Sequence, residues 1–340
     1  MLLPNPRGPL TDALVAALRA DDTSLLPGAI PASPNPVVDE DLQLFLWIAY
    51  ELSYRGFEDA PDDWEWQPAL VTLRLAAEQQ FLDVLRREVV VPSSDEPVPS
   101  RLRAIVEADD GPGLASYLQR EADRGQFVEF TVQRSIYQLK EADPHTWAIP
   151  RLSGRAKAAL IEIQTDEYGE GDLSRMHSEL YRQLLHELEL VDDYGYYVDA
   201  VPAITLAISN AMSLFGLRRE LRGALVGHLA AYEMTSSAPC RRYGQGLRRL
   251  GGTDAACRFF DEHVTADALH EQLAAYDLCG GLAEAEPALA EDILFGAAVC
   301  LWIDNRFAEH VLDAWARQQT SLRDESLVSG SRFAHGLRVA

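Results

Sequence analysis

Apolar residues recur along most of this chain with the 3.6-residue spacing of helices, and the alternation typical of strands is scarce. The pattern therefore predicts an all-α protein. We expect the long, mostly apolar helix after Pro287 to lie in the middle of a helical bundle. Expected helix starts lie near Thr11, Asp39, Gln67, Gly113, Gly125, Gly154, Leu173, Ala200, Arg219, Pro239, Thr253 and Pro287.

Two stretches rich in proline and serine, Leu26 to Glu40 and Val90 to Arg101, read as loops between these helices. They divide the chain into three expected parts. Residues 1–102 form an N-terminal helical segment packed on the bundle, and residues 103–318 form the bundle itself. Residues 319–340 are expected to be a flexible tail.

Composition and charge exclude several classes of protein. The 340 residues carry a formal net charge of −23, which disfavours nucleic acid and anionic membranes as partners. The apolar stretch Ala200 to Leu217 is interrupted by Pro202 and Asn210, so it predicts a buried helix and no membrane span. The first residues lack the pattern of a signal peptide, and the four cysteines form no CxxC pair. A cytoplasmic protein with reduced thiols is expected.

The stretch "FFDEHVTADALHEQL" carries the most distinctive pattern of polar residues. His263, Asp267 and His270 stand at i, i+4 and i+7, within roughly 60° of one another on a helix. We expect this helix to start at Thr253 and to stop at Gly280-Gly281. Two interpretations stay open, a set of metal ligands on an apolar helix or an exposed polar stripe.

A helix break brings a second pair of possible ligands together. In "IEIQTDEYGEGDLSRMHSEL", one helix ends at Glu167, Gly169 and Gly171 interrupt the chain, and a new helix carries His177. The break allows Glu167 and His177 to point to one place, whereas an unbroken helix would hold them roughly 80° apart. The alternative is a helix–loop–helix with surface charges.

One further candidate is Glu141, at a helix end after a partly apolar stretch. Its rivals are Asp143 and His145, on either side of Pro144, and Glu129 one helix earlier. The sequence alone leaves this choice open.

Another candidate is Glu233, which lies between Tyr232 and Met234 in a helix that is apolar nearly all round. A carboxylate in such a helix is seldom an unpaired surface group. His228, five residues earlier on a different face, is interpreted as structural.

In order and approximate spacing, these residues resemble the iron ligands of the haem-oxygenase-like diiron oxidases and oxygenases. The "DEYGEG…MH" segment and the HxxxDxxH helix carry most of the resemblance, which covers roughly residues 105–318. The matching positions are Glu141, Glu167, His177, Glu233, His263, Asp267 and His270.

The resemblance implies a seven-helix haem-oxygenase-like bundle with additional N-terminal helices and a non-haem diiron centre. Two Fe(II)/Fe(III) ions (manganese is a possible substitute) would use O2 as co-substrate and require an external reductant. Known members hydroxylate amine nitrogens, cleave amino-acid carbon–carbon bonds or decarboxylate fatty acids. The family thus implies the class of chemistry and a small-molecule substrate without naming it.

Individual ligand roles are also expectations. Glu167 and His177 would bind one iron with His263 nearby, while Asp267 and His270 hold the other. Four carboxylates balance the charge of two Fe(II) ions, and the mixed nitrogen and oxygen donors suit iron or manganese. Because no GxGxxG follows a strand, the electron donor would be a separate partner. The expected bridging or capping ligand is Glu141 or Glu233.

A substrate pocket is harder to predict, because aromatic residues at helical spacing are more often plain core. Arginines that would pair with a substrate carboxylate are equally suited to surface ion pairs. The aromatic candidates are Trp147, Tyr168, Phe215, Tyr232 and Tyr243, and the arginine candidates are Arg134, Arg241 and Arg242.

Three other functions compete with a diiron enzyme. A metal-free or non-catalytic member of the same superfamily would not require these seven ligands in this order. True haem oxygenase activity needs a histidine in the first helix, and none precedes His145. A structural interaction domain would leave the histidines solvated. A homodimer is a further expectation, resting on the long apolar helix after Pro287.

Overall fold

The computed structural model describes residues 1–329, apart from the side chains of residues 266–269. Within that part of the chain the structure is helical and contains no strand, so the all-α fold is confirmed. The α-helices are α1 Pro9–Ala20, α2 Glu40–Glu51, α3 Pro68–Glu88, α4 Val98–Glu107, α5 Leu114–Arg120, α6 Arg124–Gln138, α7 Asp143–Thr146, α8 Gly154–Glu167, α9 His177–Glu187, α10 Ala203–Leu217, α11 Arg222–Thr235, α12 Ser237–Arg249, α13 Asp254–Gln272, α14 Gly281–Ala285, α15 Ala290–Ala316 and α16 Ser326–Ser329.

Short helical turns connect several of these helices. The 3₁₀ turns are Thr23–Leu25, Asp62–Trp66, Ile149–Arg151, Gly169–Gly171, Leu173–Arg175, Val198–Ala200, Arg219–Leu221 and Pro287–Leu289, and Leu273–Gly280 is a π-helix.

Side-chain caps explain why several helices begin where the sequence predicts. Thr253 Oγ1 accepts a hydrogen bond from the Ala256 amide at 3.0 Å, and Asp39 caps α2 through the Asp41 and Leu42 amides. Each cap satisfies amides that have no partner inside the helix. These helix starts are confirmed.

The helix that carries the HxxxDxxH pattern does not stop at Gly280-Gly281. Both glycines keep helical φ angles, −60° and −62°, and α13 continues through the π-helix into α14. Gly280 lies close to Pro99 and Gly281 close to Arg155, so the absence of side chains permits tight packing here. The predicted stop is therefore wrong.

Helix α15 lies in the middle of the bundle and crosses α11 in direct backbone contact. A Cβ atom at Gly227 would overlap the Ile293 carbonyl, and one at Gly296 would overlap the Ala224 carbonyl. The apolar side chains of α15 are largely buried within this one chain. Its length therefore gives no structural reason to expect a homodimer.

The N-terminal helices pack directly on the bundle. Asn210 on α10 donates through Nδ2 to both the backbone and side-chain oxygens of Gln43 on α2, at 2.8 and 2.7 Å. Apolar side chains from α1, α2 and α3 belong to the same continuous core as those of the bundle. Helix α4 begins at Val98, inside the stretch predicted as a loop up to Arg101, because Pro97 and Pro99 are tolerated at a helix start.

Residues just after α15 are held in place, contrary to the flexible tail expected from residue 319. Ser321 is buried, and its backbone amide and hydroxyl donate to Glu129 Oε2 at 2.8 and 2.7 Å. Residues 330–340 lie outside the part that the structure describes.

Candidate metal centre

Five chain segments bring most of the predicted ligands together inside the bundle. Glu141 lies in the turn after α6, Glu167 ends α8 and His177 begins α9. Glu233 lies on α11, and α13 carries both histidines of the HxxxDxxH pattern. Apart from the half-buried Glu141, these side chains are buried.

The predicted helix break turns the chain between Glu167 and His177. Gly169 adopts φ +63°, and a Cβ there would stand 2.5 Å from the Met176 nitrogen. Glycine is thus required by both backbone conformation and space. The turn brings His177 Nδ1 to 2.9 Å from Glu167 Oε2, as predicted from the break.

Six of the predicted ligands form two groups of three. Glu141, His177 and His263 are the first trio, and their candidate ligand atoms lie within 4.8 Å of one another. His263 Nε2 is 3.4 Å from Glu141 Oε1, and the two imidazole centres are 4.4 Å apart.

The second trio consists of Glu167, Glu233 and His270, whose candidate ligand atoms also lie within 4.8 Å of one another. His270 Nδ1 is 3.1 Å from Glu233 Oε2. Since Glu167 also contacts His177 of the first trio, it links the two groups. The geometry thus favours Glu167 as the shared ligand, where the sequence suggested Glu141 or Glu233.

Asp267 remains a prediction, because its side chain lies outside the described residues. The residues that competed with Glu141 in the sequence have other contacts. Glu129 anchors the segment after α15, and Asp143 accepts a hydrogen bond from Tyr168 at 2.8 Å. His145 and His228 contact each other at 3.4 Å, and His145 also lines the cleft beside the trios.

Sequence reasoning missed Asp166. Its Oδ2 atom lies 2.9 Å from His270 Nε2, and its side chain is half-buried at the rim of the site. Nothing in the sequence distinguishes this carboxylate among 53 acidic residues.

Burial and mutual contact shift the ionisation of the carboxylates. Burial raises the pKa of Glu167, but the charge and close contact of His177 outweigh this effect and lower that pKa to about 2. Burial raises the pKa of Glu233, and the hydrogen bond with His270 only partly offsets this effect.

The pKa values of His270 and His177 are raised, although burial alone would lower them. Burial lowers the pKa of His270, but the hydrogen bond and charge of Glu233, with the hydrogen bond of Asp166, raise it to about 9. Glu167 likewise raises the pKa of His177 against the effect of burial. In the metal-free protein, protons therefore occupy nitrogen atoms that a metal ion would need.

These donors fit iron. Glu167 Oε2 and His177 Nδ1 are buried with no hydrogen bond of good geometry. Neighbouring ligands on one octahedral ion with bonds of about 2.1 Å lie about 3.0 Å apart, and the contacts of 2.9 to 3.4 Å match that spacing. Imidazole and carboxylate donors without thiolate suit iron or manganese.

Neighbouring groups orient the first trio. His263 Nδ1 lies 2.8 Å from the Phe259 carbonyl, so it carries the hydrogen, and Nε2 faces Glu141. With its amide nitrogen facing Glu141, Gln138 donates to that carboxylate and accepts from the Tyr137 hydroxyl at 2.9 Å.

A cleft of about 120 Å³ opens beside the trios, lined by Glu141, Glu167, Glu233 and His263 together with aromatic side chains. Of the predicted aromatic lining, Tyr232 and Tyr243 are present. Arg134 also lines the cleft, but Asp304 holds its guanidinium at 2.7 and 3.1 Å. The predicted residues found elsewhere are Trp147, Tyr168 and Phe215, which pack outside the cleft, and Arg241 and Arg242, which are exposed.

Comparison with known proteins identifies the family. The family model described as "Iron-containing redox enzyme" matches residues 128–305, which include all seven predicted ligands. The chain belongs to this family. The haem-oxygenase-like assignment made from the sequence is thereby confirmed, and with it an iron-dependent redox enzyme class.

A relative of known activity supports the same assignment. The chain is 29% identical over 147 residues to nitrosourea synthase from Streptomyces achromogenes subsp. streptozoticus. The match covers 43% of this chain and 31% of that relative, so most of the relative has no counterpart here. Among residues 1–329, no helix combines the length and apolar composition that crossing a bilayer demands.

Proposed function

We propose that this chain is a non-haem diiron oxidase or oxygenase that uses O2 on a small organic substrate. The observation that carries the proposal is the pair of buried trios joined at Glu167. One trio alone would support a single ion. Two adjacent trios linked by the contact between Glu167 and His177 support a pair of ions, whether Fe/Fe or Mn/Fe.

When bound, two Fe(II) ions supply two electrons for the reduction of O2. Three imidazoles and the carboxylates of Glu141, Glu167 and Glu233 would hold them, and we add Asp267 to this set. Burial of these groups excludes bulk water and strengthens their interaction with cations. The cleft beside the trios would give O2 and a small substrate access to metal bound there.

We propose a nitrogen-bearing substrate, an amine or amino acid, ahead of a fatty acid. The relative with a known activity is named for making a nitrosourea, a nitrogen-oxidised product. The cleft agrees with this choice, because carboxylates and aromatic faces favour cationic or N–H-bearing groups. Hydroxylation of nitrogen and oxidative cleavage of a carbon–carbon bond are the candidate reactions.

The proposal includes a separate electron donor. Complete reduction of O2 takes four electrons, and two Fe(II) ions supply only half of them. The substrate or an external reductant must supply the rest and restore Fe(II).

Oxygen consumption by the Fe(II)-loaded protein tests the proposal. We expect rapid O2 uptake that depends on iron and accelerates with one class among amines, amino acids and fatty acids. The variant His177→Ala should lose this uptake, while Glu162→Gln, an exposed carboxylate on α8, should keep it. An Fe(II)-loaded protein that consumes no O2 with any of these classes would contradict the proposal.

A further inference from the structure

The His270 imidazole lies between two carboxylates from different helices. Its Nδ1 atom is 3.1 Å from Glu233 Oε2, and its Nε2 atom is 2.9 Å from Asp166 Oδ2. Each ring nitrogen therefore contacts a carboxylate in the metal-free protein. A neutral imidazole that binds a metal through one nitrogen carries its hydrogen on the other.

Burial shows which nitrogen faces the metal. Glu233, which contacts Nδ1, is 5% exposed, and Glu167, the third member of the trio, is 7% exposed. The Asp166 side chain is 43% exposed and lies on the Nε2 side, at the rim. A cation held by the two buried glutamates would therefore meet Nδ1, and the contact with Asp166 would persist.

We propose that Asp166 is a positioning residue for the second metal of the centre. Its Oδ2 accepts the Nε2 hydrogen of His270, which fixes the ring orientation and directs the Nδ1 lone pair towards Glu167 and Glu233. The inference rests on the proposed function, since it requires metal at this trio. A carboxylate on the outer nitrogen also makes the imidazole a more basic ligand.

Asp166 and Glu167 are successive residues of α8, so their side chains point about 100° apart. The end of one helix thus supplies the shared ligand to the interior and the orienting carboxylate to the rim. This arrangement explains why two adjacent acidic residues are both used at the site.

The two trios differ in how their histidines are oriented. His263 is held by the Phe259 backbone carbonyl at 2.8 Å, a contact that no side-chain substitution at residue 166 removes. Loss of Asp166 should therefore weaken the binding of one metal ion and leave the binding of the other unchanged. This selectivity separates a positioning role from general destabilisation of the bundle.

Anaerobic Fe(II) titration in competition with a chromophoric chelator tests the inference. In Asp166→Leu we expect one of two ions to bind more weakly by about 10- to 100-fold, with the other unchanged. Asp166→Asn keeps an oxygen acceptor and should give an intermediate loss. Glu162→Gln removes a charge from an exposed position of the same helix and should bind both ions like the wild type.

Equal affinities in Asp166→Leu and wild type would overturn the inference, and so would an equal loss at both sites. Mössbauer spectra of ⁵⁷Fe(II) provide a second readout, in which only one of two iron environments should change. Asp166→Asn serves if the leucine variant does not fold. If the wild type bound no Fe(II), the proposed function itself would be contradicted. If all variants bound two ions with equal affinity, only the role of Asp166 would be contradicted.

Discussion

At the scale of single residues, Glu167 is the centre of the site. It is buried, it belongs to one trio and it contacts His177 of the other. The contact and the low pKa of Glu167 show that this carboxylate is charged and paired with imidazole before any metal arrives. Metal binding at the proposed ligands would therefore exchange protons for cations.

The charged His270 should make the stability of the metal-free protein depend on pH. Its pKa rises from about 6.5 in the unfolded chain to about 9 in the folded one. The stability that it contributes is complete below the lower value and is lost as pH rises through the higher one. Calorimetry in the presence of chelator should show a melting temperature that falls over this range.

His270→Gln isolates this effect from other titrating groups. We expect the variant to be less stable than the wild type at pH 6, with a difference that shrinks towards pH about 9.5. A difference that stays constant with pH would contradict the assignment of a charged His270.

A buried ion pair supports the turn that carries Glu141. Lys140 pairs with Glu51 of α2, both are almost fully buried, and the Tyr194 hydroxyl donates to the same carboxylate at 2.6 Å. Lys140→Met would leave a buried carboxylate without its cation, so we expect a loss of about 3–5 kcal/mol in the free energy of unfolding. Urea denaturation measures it.

Replacing both members of that pair provides the control. The double variant Lys140→Met with Glu51→Gln removes the unpaired charge and should recover most of the loss. If the double variant were as unstable as Lys140→Met, the cost would come from packing and not from charge.

Residue chemistry shows where sequence reasoning succeeded and where it had no basis. The glycines after Glu167 predicted that it would face His177, because a break of this kind has a definite geometric consequence. Asp166 was missed because its role depends on α13 lying against α8, which no local pattern encodes. The division into two trios likewise depends on packing between helices.

At the scale of secondary-structure elements, the turn from α8 to α9 fixes the spacing of two ligands. Gly169 and Gly154 both adopt positive φ, but only Gly169 lacks space for a side chain. Gly169→Ala should therefore reduce Fe(II) affinity by at least tenfold, because the Met176 backbone must move and His177 moves with it. Gly154→Ala carries only the conformational cost and should bind iron like the wild type in the same chelator competition.

The crossing of α11 and α15 positions Glu233. Gly227→Ala would force the helices apart, and we expect a loss of about 3 kcal/mol in the free energy of unfolding, with weaker iron binding. A Cβ at Gly28 would meet only open space, so Gly28→Ala should change the free energy of unfolding by less than about 0.5 kcal/mol. A Gly227→Ala protein with unchanged denaturation would show that the helices do not meet as closely as described.

Most helix starts were predictable because caps and prolines act locally. Helix α4 was hidden by a proline- and serine-rich sequence, and the glycine pair after α13 looked like a stop. The prolines of α4 stand where a helix start tolerates them, whereas at the glycine pair packing against Pro99 and Arg155 outweighed the local pattern.

At the scale of the whole molecule, the N-terminal helices and the bundle form one continuous core around the two trios. The family match covers residues 128–305, and α2, which precedes it, supports the turn bearing Glu141 through the pair of Glu51 and Lys140. The net charge of −23 disfavours anionic partners and accords with a site that binds cations.

The number and coupling of bound irons test the central claim most directly. Protein loaded anaerobically with ⁵⁷Fe(II), then exposed to O2 and examined by Mössbauer spectroscopy in an applied field, should contain two irons per chain that are magnetically coupled. His177→Ala should lose this coupled pair, and Glu162→Gln should retain it. One iron per chain, or two that behave as isolated ions, would contradict a centre in which two trios share Glu167.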